Sequence, residues 1–126
     1  MQLYVIMAWS WWELAKIKMK TTLKTKENLI NCEVNAIKNN EHYSYLENDY
    51  TVVIDIREDC VKMLRKKEDY ELEFLFSKSD NSACVIHLGE NTTSIPVVTK
   101  KLEVTESKIL IVYEIDEEEF QYLIQY

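Results

Sequence analysis

The sequence predicts an all-β domain: an antiparallel, up-and-down β-barrel of about eight to ten strands, with a short N-terminal helix. Three observations lead there. Apolar and polar residues alternate with a period of two through most of the chain, as they do on half-buried antiparallel strands. Asn, Asp and Glu clusters interrupt that pattern at intervals of roughly eight to eleven residues, the spacing of a meander. Past residue 20, no stretch sustains a helical spacing of three and four for three turns.

The N-terminal segment MQLYVIMAWSWWELAKIKMK holds all three tryptophans, Trp9, Trp11 and Trp12. A helix from about Leu3 to Ala15 would place Trp9 and Trp12 on one side with Val5, and Trp11 on another. Such a stripe could plug a barrel end or dock a partner. Residues 1–18 are therefore read as an aromatic helical segment added to a barrel of residues 19–126. Glu13 and Lys16 interrupt the apolar run well short of the ~20 residues a membrane span needs. No basic residue precedes it, as a secretory signal would require.

The strands follow in order, at about 16–26, 29–38, 41–47, 51–58, 61–66, 71–77, 82–88, 92–104, 108–116 and 119–126. In the first, Lys16, Lys18, Lys20, Lys24 and Lys26 share one face, and Ile17, Met19 and Leu23 the other. Val52, Ile54 and Ile56 form one face of YTVVIDIRE, and Leu72, Phe74 and Phe76 one face of YELEFLFSK. Ile109, Ile111, Tyr113 and Ile115 line up in KILIVYEID, as do Phe120, Tyr122, Ile124 and Tyr126 in EFQYLIQY. The chain has one glycine, Gly89, and one proline, Pro96. Its turns thus fall to residues such as Asn39-Asn40 and Asn48-Asp49, which tolerate left-handed backbone. Pro96 cannot donate to a ladder and belongs at a bulge or an edge.

Composition excludes more chemistry than it supports. A single glycine rules out the P-loop, the dinucleotide-binding fingerprint and the nucleophile elbow, each of which needs at least two. The net charge of −7 disfavours nucleic acid. That charge is uneven, because five lysines against Glu13 leave residues 1–26 at +4 and the remainder at −11. Cys32, Cys60 and Cys84 are too far apart for a zinc knuckle and odd in number, as expected of buried free thiols in a reducing cytoplasm. His42 and His87 read as surface or strand residues, and the run Asp116 to Glu119 as a solvated turn without the spacing of a calcium loop. No cofactor, metal, catalytic residue, nucleic-acid partner or membrane partner is expected.

Tyrosine offers the one constellation. Tyr43, Tyr45 and Glu47 share a face of YSYLE, while Arg65 is in phase with Val61 and Met63 in CVKMLRKK. Inward-facing Glu47 and Arg65 on neighbouring strands would pair, since a buried carboxylate without a partner is costly. Tyr113 and Tyr122, from the last two strands, complete a candidate binding set with Tyr43, Tyr45, Glu47 and Arg65. Either the pair only fixes strand register, or both side chains point outward, or the two are the polar groups of a pocket for a small amphipathic ligand.

YSYLE, the strand ending Leu64-Arg65, ELEFLF, IPVVTKKLEV, ILIVYEI and the closing EFQYLIQY together resemble the DUF1934 family. These are small bacterial calycin-like barrels, related in shape to lipocalins and without an assigned activity. The resemblance spans roughly residues 19–126. It implies the barrel and keeps Glu47 and Arg65 as candidates, and it brings no chemistry. The expectation is a non-catalytic, cytoplasmic protein that binds a small, partly apolar ligand inside the barrel. The alternative is an interaction or assembly module, a homodimer formed through a strand edge or the aromatic N-terminus.

Overall fold

A computed structural model of the protein describes residues 14–79 and 82–126. Eleven strands form one antiparallel sheet: β1 (Leu14–Lys24), β2 (Leu29–Asn39), β3 (His42–Glu47), β4 (Tyr50–Ile56), β5 (Cys60–Lys67), β6 (Tyr70–Ser77), β7 (Ala83–Leu88), β8 (Asn91–Pro96), β9 (Val98–Val104), β10 (Lys108–Ile115) and β11 (Glu118–Gln125). The order is β8-β7-β6-β5-β4-β3-β2-β1-β11-β10-β9, so every ladder joins consecutive strands except β1–β11. The sheet curls into a nearly closed barrel. No helix among the described residues is long and apolar enough to cross a membrane.

The expected single strand over 92–104 is two, and this raises the count to eleven. Pro96 ends β8, and the buried Val97 separates it from β9. Proline has no N–H to donate, so the ladder stops there. The two halves of this bent segment then pair in opposite directions around the barrel, β8 with β7 and β9 with β10. A hydroxyl cluster ties the bend to the neighbouring turn: Ser82 Oγ lies 2.6 Å from Thr99 Oγ1, and the Ser77 N–H donates to Ser82 Oγ at 3.0 Å.

The N-terminal expectation needs one correction. Leu14 and Ala15, assigned to the end of a helix, are paired strand residues of β1, opposite Asn39 and Lys38. Among the described residues the barrel is already present at residue 14, ahead of the expected 19, and the rest of the expected helix lies outside the described residues. The β1–β2 ladder, rather than the alternation, carries the strand back over these two residues.

Period-two patterning is realised on the inner face. Met19, Val34, Val52, Ile54, Val61, Met63, Phe76, Ile109, Ile111 and Ile124 are all buried there, while the lysines of β1 face water. Burial of an aliphatic or phenyl side chain contributes roughly 1.5–3 kcal/mol, so these inward rows hold the barrel shut. The turns 25–28, 48–49, 68–69, 89–90 and 116–117 gather at one end, as strict up-and-down order requires. Glu27, Asp49, Glu68, Asp69, Glu90, Asp116 and Glu117 give that end an acidic rim. Asn40, Asn48, Glu68, Gly89, Asp116 and Glu117 take positive φ, which is how hairpins close with one glycine in the chain.

Candidate functional site

Glu47 ends β3 and points into the barrel, where the Arg65 Nη1 group of β5 donates to Oε1 at 2.9 Å. The two strands flank β4 rather than adjoining one another as expected, and Arg65 stands opposite Val52 on the intervening strand. The other carboxylate oxygen, Oε2, accepts from the Tyr122 hydroxyl at 2.6 Å. A tyrosine hydroxyl carries one proton. With that proton on Glu47, the 2.7 Å contact between the hydroxyls of Tyr45 and Tyr122 is donated by Tyr45. A single chain therefore runs Tyr45 to Tyr122 to Glu47, and Arg65 closes it from the far side. Because β3 and β11 are not neighbours, these bonds cross the barrel interior.

The electrostatics follow from that enclosure. Burial pushes the Tyr122 hydroxyl far above the ordinary phenol range, and the neighbouring Tyr45 and Glu47 add to it. Burial raises Tyr45 as well, partly offset by its bond to Tyr122. Burial opposes the charge on Arg65, yet Glu47, Tyr122 and Tyr45 together outweigh it and keep the guanidinium protonated. Its plane also lies over the Tyr50 ring, 4.9 Å from the centroid, a cation–π contact that packs the side chain in place. The tyrosines in this group are donors rather than bases.

A half-enclosed cavity of about 290 Å³ lies beside this network, near the acidic rim. Arg65 and Tyr122 contribute polar groups to its wall, and Leu72, Phe74, Ile86 and Ile95 are among its apolar side chains. Tyr113 also lines it, stacked on Phe120 and tilted against Phe74 and Phe76, with burial raising its hydroxyl to about 12. Cys84 is in the wall too, its thiol raised to about 11 by burial. All three cysteines are free, but of the three expected to be buried only Cys84 is; Cys32 and Cys60 are partly exposed.

The structure thus brings five of the six proposed residues together and leaves one apart. Tyr45, Glu47, Arg65 and Tyr122 share the network, and Tyr113 joins Arg65 and Tyr122 at the cavity. Tyr43 sits toward the opposite end, its ring 5.4 Å from that of Tyr126 and 5.5 Å from the Lys38 ammonium. Phase along a strand identifies the face of a side chain, not its height in the barrel. The sequence reading missed Tyr50, Tyr70, Ile86 and Ile95. Each is in phase on its strand, but only the closed sheet reveals which inward rows surround one space.

No protein-family model matches the sequence, and a search of curated proteins finds no match. Among solved structures, the fold is similar to the crystal structure of the ywiB protein from Bacillus subtilis, with a TM-score of 0.59 and 12% identity over 89% of each chain. At that identity the likeness is one of fold: this chain adopts a small β-barrel of a kind also found in a bacterial protein.

Proposed function

We propose that this barrel is a non-catalytic binding protein for a small, mostly apolar and uncharged ligand, seated in the cavity beside Arg65. The observation that carries the reading is a mostly apolar recess of about 290 Å³ whose wall includes the arginine of a neutralised ion pair. Its volume stands at the lower edge of the ~300–1,000 Å³ range of ligand sites, enough for one or two rings. Arg65 spends Nη1 on Glu47 and keeps further N–H groups at the cavity wall, so the ligand's polar atom is a hydrogen-bond acceptor. The acidic rim opposes the approach of an anion. Catalysis fits poorly, since neither histidine lines the recess and the one carboxylate near it is already bonded twice. A calycin-like barrel of the DUF1934 kind, acting in the cytoplasm, accords with this reading, and the shared fold of the Bacillus protein supports its barrel part.

N-phenyl-1-naphthylamine, a neutral fluorescent probe, tests the proposal. It should bind saturably to the wild-type protein, and Ile86→Trp and Leu72→Trp, which fill the recess, should each weaken binding at least tenfold. Absence of saturable binding, or equal affinity in folded variants, overturns the reading.

A further inference from the structure

A second group of side chains lies on the outer wall, away from the cavity and independent of its reading. Glu71 and Glu73 occupy alternate positions on β6 and so share its outer face; His87 of β7 stands directly across the ladder from Glu71. Donor atoms of the three side chains all lie within 4.8 Å of one another. Among the described residues, no lysine or arginine is within ion-pair distance of either carboxylate, although Lys66 is Glu71's partner on β5. The only ion pair there joins His87 Nε2 and Glu73 Oε2 at 3.7 Å. Two like charges are thus held close on a rigid sheet with nothing but an imidazole between them. From the far side, Thr92 Oγ1 of β8 holds His87 Nδ1 at 3.2 Å. When Nδ1–H donates to Thr92, the Nε2 lone pair is left on the carboxylate side, the arrangement in which a ligating histidine is oriented by an outer hydrogen bond.

We propose that Glu71, Glu73 and His87 form a binding site for a divalent transition-metal ion, with Thr92 positioning the imidazole. One nitrogen and two carboxylate oxygens suit Zn²⁺ and its neighbours in the first row, and solvent supplies the remaining coordination. Positions i and i+2 on one strand with a partner across the ladder present three donors to one point. Each side chain needs to close by roughly 1 Å to reach the ~2.0–2.2 Å bonds of zinc. The ion supplies the charge that the two glutamates otherwise lack.

Calorimetric titration of the full, metal-stripped chain with Zn²⁺ reads the site directly. One ion per chain is expected, with affinity at least tenfold weaker in Glu73→Gln and in His87→Gln and about tenfold weaker in Thr92→Val. Circular dichroism of these surface variants should match that of the wild type. Cys60→Ser is the control, because a partly exposed thiol could capture zinc on its own. Loss of binding in Cys60→Ser, unchanged affinity in His87→Gln, or no saturable binding to the wild type each overturns the proposal.

Discussion

Glu47 is 5% exposed, and both its oxygens are bonded: Arg65 meets one and Tyr122 the other, with Tyr45 behind Tyr122. A buried ion pair of this kind is worth little against an apolar replacement, but breaking one partner is expensive. Arg65→Met should lower the unfolding free energy by about 3–5 kcal/mol, read from urea denaturation, while the pair Arg65→Met with Glu47→Leu should recover most of that loss. A double variant no more stable than the single one would mean that the tyrosines, not the arginine, keep Glu47 in place. The Glu47–Arg65 pair was legible in the sequence as one option, since an inward carboxylate needs a partner, but phase alone did not decide whether both side chains face inward or outward. The tyrosine chain was not, because nothing local says that β3 and β11 face each other across the interior. Nor did the sequence expose the Glu71, Glu73 and His87 group. Outward phase was readable for each, but the pairing of Glu71 with His87 depends on the β6–β7 register.

At the scale of the elements, period-two alternation and turn chemistry carried most of the information. Ten expected strands correspond to ten segments of the barrel, most boundaries falling within two residues, and the eleventh comes from the break after Pro96. The turn at 116–117 shows the cost of building hairpins almost without glycine. Both Asp116 and Glu117 take positive φ, at 50° and 66°. Side chains other than Gly and Asn pay for that conformation in strain. Replacing Asp116-Glu117 with Asn-Gly, the preferred pair for this geometry, should stabilise the barrel by roughly 0.5–1 kcal/mol. Thermal denaturation would show it as a higher Tm, and an unchanged or lower Tm would mean the two acidic side chains make compensating contacts on the rim. The sequence flagged this run as a solvated turn but could not report its backbone angles.

For the whole molecule, strict nearest-neighbour order explains why fold class was readable and the cavity was not. An up-and-down barrel needs only local hairpin information until it closes, and the period-two pattern supplies that ten times over. Closure itself depends on the bend at Pro96–Val97, which lets one continuous segment serve both β7 and β10. The position of that bend sets the barrel's circumference, and with it which of the inward rows line an empty recess rather than a filled core. A cavity is a remainder after packing, so no single segment encodes it.

The β1–β11 ladder runs from Lys20↔Gln125 to Lys24↔Gln121, and it alone joins distant parts of the chain. Every other ladder can zip from its own turn, whereas this one must wait for a loop of about a hundred residues to close, and non-local pairing of that sort slows folding. The seam between the first strand and the last is then a kinetic feature: the point at which a row of independent hairpins becomes a single cooperative body.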